Sequence, residues 1–186
     1  IGSGARGVID AGADVVVVGT AGDALPGQAW EGDGDAFLRK YDADGNVLWT
    51  RQFGTAMADW VGGVTVDADD NIIVVGDTLG AFPSFTRVGA YDIFVAKYDP
   101  SGARLWLHQF GSEALAAALS RGVAADSSGN VFLVGSTYAG AFPGQTALGN
   151  DDAFVFKLDA NGDVLWIRQF GASEDDQADA VAINAV

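Results

Sequence analysis

The chain has no cysteine, one methionine and one histidine. Thiolate metal centres and disulfide scaffolds are excluded, and a single imidazole cannot build a multi-histidine site. Cations are scarce too: 10 Lys+Arg stand against 25 Asp+Glu, a formal net charge of −15. Nucleic-acid binding needs a basic stripe to neutralise phosphates, and this chain repels them. Long apolar runs are missing; Val15–Val18 and residues 114–119 are the longest, so no segment approaches the roughly 20 residues of a membrane helix. What is present is apolar and aromatic in proportions, 49% and 11%, that a disordered chain does not reach. The chain begins at Ile rather than Met, which reads as a processed product or a piece of a longer chain. Lack of cysteine suits an extracellular protein and a cytosolic one equally.

Self-similarity organises all of it. The segments DAFLRKYDADGNVLWTRQFG from Asp35, DIFVAKYDPSGARLWLHQFG from Asp92 and DAFVFKLDANGDVLWIRQFG from Asp152 are copies of one another. Between them GVTVDADDNIIVVGDT from Gly63 recurs as GVAADSSGNVFLVGST from Gly122, with a shortened form from Gly7. The repeat units are residues 7–53, 63–110 and 122–170. Residues 178–186 match the start of a further one, and the whole of 1–186 reads as a single region.

Each unit reads as four short strands. The first is small and apolar, as in residues 122–125. The second is almost continuously apolar, which suits a strand covered on both faces. The third and fourth alternate at period two: Phe154, Phe156 and Leu158 on one face, then Val164, Trp166, Arg168 and Phe170. Residues 114–119 have room for one helical turn. The turns DADDN, DSSGN, DADGN, DPSGA and DANGD carry the Asp and Gly of tight hairpins, whereas the other connections are longer. Four antiparallel strands at a fixed period describe β-propeller blades, so the expected class is all-β with about three blades. A stacked solenoid is the rival, but its turns are shorter and lack hairpins. The small first strands are expected around the central channel, and Trp49, Trp106 and Trp166 are expected to be largely buried between blades.

The recurring K-Y/L-D-x-x-G-x-x-L-W-x-x-Q-F-G, followed by G-V-x-x-D-x-x-x-N, resembles the bacterial seven-bladed β-propeller repeat (SBBP) family. The matching residues run from Lys40, Asp42, Gly45, Trp49 and Gln52 through Lys97 and Trp106 to Lys157 and Trp166. The resemblance implies a secreted or cell-surface bacterial protein without a defined catalytic activity. Three blades are fewer than a closed ring of that family needs. An open arc leaves apolar blade faces bare. Closure by the rest of a longer chain or by self-association is therefore expected.

Few residues suggest chemistry. Asp42–Asn46 shares D-x-D-G with an EF-hand loop but lacks the downstream glutamate, and the parallel turns lose ligands while keeping turn geometry. No metal and no cofactor is expected. His108 aligns with Arg51 and Arg168, which marks an exposed polar position; no catalytic constellation is discernible. Lys40, Lys97 and Lys157 are expected to meet neighbouring carboxylates, and Gln52, Gln109 and Gln169 to bond loop or blade backbone. Binding candidates lie in the longer loops and among non-repeating residues: Trp30, Trp60, Phe85, Tyr138, Gln28 and Gln145. An exposed Trp or Tyr stacks on a sugar or anchors a protein. The expected function is a non-enzymatic structural or interaction module outside the cell, with a protein or glycan partner. The alternative is a carbohydrate-binding propeller.

Overall fold

The structure, a computed structural model, describes residues 4–11, 14–112 and 117–184, with the side chains from residue 14 onward. It contains three four-stranded antiparallel sheets, each built from consecutive strands. The first blade is β1 (Gly4–Ala11), β2 (Asp14–Ala21), β3 (Asp35–Tyr41) and β4 (Val47–Phe53). The second is β5 (Asp59–Val66), β6 (Ile72–Thr78), β7 (Asp92–Tyr98) and β8 (Arg104–Phe110). The third is β9 (Ala117–Ala125), β10 (Val131–Tyr138), β11 (Asp151–Leu158) and β12 (Val164–Phe170). No helix occurs among the described residues. This is the architecture of propeller blades, each a meander of four strands.

Two cores lie between the sheets, and period two assigns the side chains. In β6, Ile72 and Val74 face the first blade while Ile73 and Val75 face the third. In β7, Phe94, Ala96 and Tyr98 face the first blade while Ile93 and Val95 face the third. Every residue of β7 is buried, so the near-continuous apolar run follows from burial on both faces. The forward face of each blade thus packs on the backward face of the next. The forward face of the first blade carries Val16, Val18, Leu38 and Phe53; that of the second carries Ile73, Val95 and Phe110. The corresponding face of the third blade carries Phe132, Trp166 and Phe170, and Phe170 is 51% exposed where Phe53 is 8% exposed.

Turn chemistry recurs in five places. In the turn after β3, Asp42 Oδ1 accepts from Asp44 N and Asn46 N, and Asp42 O accepts from Gly45 N. Asp67, Asp99, Asp126 and Asp159 repeat the first two bonds at their own turns. Side-chain and backbone hydrogen bonds hold four of these carboxyls, Asp42, Asp67, Asp99 and Asp126, below the usual range. The hydrogen bond from the Asn46 side chain leads at Asp42, Ser101 at Asp99 and Asn130 at Asp126; at Asp67 burial is the largest influence and opposes, and the hydrogen bonds from Lys97, Asn71 and Asp69 together outweigh it. The turn between β1 and β2 includes residues outside the described set.

Three expectations need correction. The inner strands are longer than the repeat boundaries at 63 and 122, because β5 starts at Asp59 and β9 at Ala117. Parallel bridges from Gly34 to Ala58 and from Tyr91 to Ala117 tie these early residues to the preceding blade. Residues 117–119 are accordingly strand, not helix; 113–116 lie outside the described residues. Trp49, Trp106 and Trp166 are half-buried rather than largely buried. The outer strand lies at the rim, where the Trp49 and Trp106 rings reach across to the next blade's turn: Trp49 Nε1 donates to Pro100 O and Trp106 Nε1 to Ala160 O, both at 3.1 Å. His108 is half-buried, not exposed. Its Nε2 lies 3.2 Å from Asn161 O in the next blade's turn; one blade earlier Arg51 meets the equivalent Ser101 O at 3.3 Å and the adjoining Gly102 O at 2.7 Å. Beyond β12, residues 171–184 carry no strand, though Asp176 N donates to Asp151 O at 2.9 Å, as Asp59 N does to Gly34 O at 2.8 Å. Residues 185–186 lie outside the described residues.

Candidate functional site

The recurring polar residues are engaged by the fold. Gln109 is buried; its Oε1 accepts from Phe82 N at 2.9 Å, and its Nε2 donates to Gly80 O and Asp92 Oδ2 at 3.1 and 2.8 Å. Gln52 does the same with Leu25 N, Asp23 O and Asp35, and Gln169 with Phe142 N, Gly140 O and Asp152. Each glutamine clamps the long loop of its own blade against an aspartate at the start of the third strand. The lysines behave similarly: Lys40 meets Asp14 at 3.0 Å and Lys97 meets Asp67 at 2.7 Å, while Lys157 Nζ lies 5.1 Å from the Phe132 ring centroid. Repetition at these positions reports architecture.

The residues that break the repeat behave differently, because several of them converge. Trp60 stands on β5 opposite Asp77 of β6. Tyr91 immediately precedes β7, where the other units have Gly34 and Asp151. Tyr138 ends β10, opposite Ala117 and Asp151. Together with Leu119, Ser120 and Arg121 these residues line a cleft of about 520 Å³ between the inner strands of the second and third blades. It opens at the end of the strands where the long loops gather. The Trp60 and Tyr91 ring centroids are 5.9 Å apart at 38°. Tyr138 is 59% exposed. Asp77 Oδ1 accepts from Ser120 N at 2.6 Å and Ser120 Oγ at 3.0 Å, which locks the floor. Burial, reinforced by the neighbouring Asp175 charge, raises the Asp151 carboxyl above its ordinary value.

Of the six binding candidates, the structure brings Trp60 and Tyr138 together in this cleft. The other four lie elsewhere. Trp30 is exposed on the long loop of the first blade. Gln28 Oε1 accepts from Gln52 N and Gln145 Oε1 from Gln169 N, both at 3.1 Å. Both follow a Pro-Gly turn with positive φ at Gly27 and Gly144. Phe85 holds the same turn position and packs against the core between the first two blades. Tyr91, Asp77 and Asp151 escaped the sequence reading, although Tyr91 stands where a strict repeat has glycine or aspartate. Their convergence required the blades to be placed side by side.

Residues 48–83 and 105–143 match the beta-propeller repeat family SBBP. Each match begins on the outer strand of one blade and ends in the long loop of the next, so the family's unit is offset from the blade. The chain is 28% identical, over 98% of its length, to a protein named regulatory protein FlaEY from Caulobacter vibrioides, and covers 20% of that protein. It is 25% identical, over 74% of its length, to an uncharacterized WD repeat-containing protein of Acanthamoeba polyphaga mimivirus, and covers 12% of it. The chain therefore spans a fifth or less of the relatives it matches. The three four-stranded blades are those of a β-propeller, and residues 48–83 and 105–143 carry SBBP beta-propeller repeats.

Proposed function

We propose that the chain is a non-enzymatic interaction module which presents the cleft of Trp60, Tyr91 and Tyr138 to a partner. One observation carries this reading: residues that depart from the repeat at separate sequence positions meet in one concave site, while the recurring polar residues are used up by the fold. Aromatic side chains in a cleft supply contact area at low entropic cost, and clefts on a rigid scaffold are where partners dock. A relative named for regulation and one named for WD repeats support an interaction role rather than catalysis. Display at a bacterial surface or in the medium accords with the resemblance to secreted repeat proteins; protease accessibility on intact cells tests it. A scaffold that closes by further blades or by self-association accords with the exposed Phe170; light scattering on the chain tests that.

The experiment for the cleft is a peptide array and a glycan array probed with the chain and with Tyr138→Ala. Binding to peptides that the substitution abolishes supports the reading, and binding indifferent to it defeats the reading. The second reading, a carbohydrate site, is favoured by the half-buried Trp60 ring beside the polar Asp77 and Ser136. Glycan-array signal, with a tryptophan fluorescence change lost in Trp60→Ala, would select it.

A further inference from the structure

The cleft holds a buried carboxylate oxygen that no structural bond satisfies. Asp77 is held by Ser120. Asp151, the first residue of β11, is hydrogen-bonded by the Gln177 side chain yet keeps a buried Oδ1 with no hydrogen-bond partner. The ion pairs Lys40–Asp14 and Lys97–Asp67 lie at the far, tight-turn ends of the sheets. The cleft's own cation, Arg121, is exposed on the rim. Asp151 is also close enough to Asp175 and Asp152 to feel both charges. An unpartnered carboxylate oxygen out of water is costly unless a donor or a cation reaches it.

The walls favour the same kind of ligand. The faces of Trp60, Tyr91 and Tyr138 carry negative quadrupole charge, which attracts a cation laid over them. A net charge of −15 adds a field that draws cations and repels anions. A planar guanidinium suits both the rings and the Asp151 oxygen, since it stacks on aromatic rings and still directs N–H groups sideways to a carboxylate. A lysine ammonium is more strongly hydrated and does not stack in this way. A volume of about 520 Å³ takes an arginine side chain with part of its flanking backbone and excludes a folded domain.

We infer that the cleft receives an arginine side chain from an extended segment of a partner protein, its guanidinium between the Trp60, Tyr91 and Tyr138 rings and the Asp151 carboxylate. This rests on the reading of the cleft as a docking site. Arg121 then acts as a selectivity residue, since its charge at the rim opposes the incoming guanidinium and sets how tightly it is held.

The test titrates the intact chain with the peptide acetyl-Gly-Arg-Gly-amide, following the indole NMR signal of Trp60. Its citrulline counterpart, neutral and of the same shape, is titrated in parallel, as is the disaccharide cellobiose. The arginine peptide is expected to shift the signal saturably, with the citrulline peptide roughly tenfold weaker. Asp151→Asn and Tyr138→Ala should each weaken arginine binding by about fivefold, and Arg121→Ala should strengthen it. Circular dichroism confirms that these variants, altered at partly or fully exposed positions, remain folded. Equal binding of arginine and citrulline peptides overturns the inference, as does arginine binding that none of the three variants alters. Binding of cellobiose without the arginine peptide also overturns it, but leaves the cleft as a docking site. A Trp60 signal that responds to no probe at low salt refutes the inference alone, and the array experiment then decides the docking reading independently.

Discussion

The indole Nε1 of Trp106 donates to the carbonyl oxygen of Ala160, 3.1 Å away across the boundary between the second and third blades. Trp49 makes the same bond to Pro100 one blade earlier. The ring is half-buried, so its role divides between rim packing and one hydrogen bond. Trp106→Phe is expected to cost about 1 kcal/mol, the value of one such bond. Trp106→Ala is expected to cost about 2 kcal/mol, below the roughly 3–5 kcal/mol of a fully buried aromatic. Chemical denaturation of the variants measures both.

The turn glycines separate backbone strain from contact. Gly45 and Gly102 occupy the same turn position, with φ of 82° and 80°. A Cβ at Gly45 meets nothing within 4 Å, whereas at Gly102 it falls 2.9 Å from the Trp49 ring. Gly45→Ala is expected to cost about 1 kcal/mol from left-handed strain alone. Gly102→Ala should cost about 1 kcal/mol more, because the Trp49 ring must move off the turn. Equal melting shifts in the two variants would show that the ring does not press on the turn.

Gln109 is the most enclosed of the three loop clamps. Its removal leaves Phe82 N, Gly80 O and Asp92 Oδ2 each short of a bond. Gln109→Ala is expected to destabilise by about 3 kcal/mol, since each buried group left unpaired costs about 1–3 kcal/mol. Gln52→Ala, at a half-buried position, should cost less. Hydrogen exchange at the Phe82 amide should rise in Gln109→Ala and stay unchanged in Gln52→Ala.

Asp59 supplies a pH dependence of known sign. Burial pushes its carboxyl from 3.8 up to about 6, against the hydrogen bonds from Thr78 and Thr55 and with help from the Asp35 charge. The folded state therefore holds the proton more tightly than the unfolded chain. Its contribution is fully present below about pH 4 and is lost as pH rises through about 6. The turn aspartates act oppositely: Asp67, held below the usual range, gives stability that disappears as the solution becomes strongly acidic. Melting temperatures across pH 4 to 7 should fall in the native chain, and Asp59→Asn should flatten that slope.

The amino-acid sequence determined the class, the unit and the turns, because each depends on local chemistry that repetition displays three times over. Asp at the start of a hairpin and Gly at its left-handed position need no distant partner, so DADGN and DPSGA are legible in isolation. Alternation of apolar residues in β11 and β12 likewise declares a strand. The interior role of Gln52, Gln109 and Gln169 was visible as a recurrence, though their aspartate partners were not. Tertiary structure decided what lies between blades. Burial of an outer-strand tryptophan depends on how far the next blade's turn reaches, and that left Trp49 and Trp106 half-covered. The inner strands grew by several residues because Gly34 and Tyr91 of the preceding blade pair with their first residues. Above all, Trp60, Tyr91, Tyr138 and Asp151 are far apart along the chain, and only the side-by-side packing of β5 and β9 makes them one site.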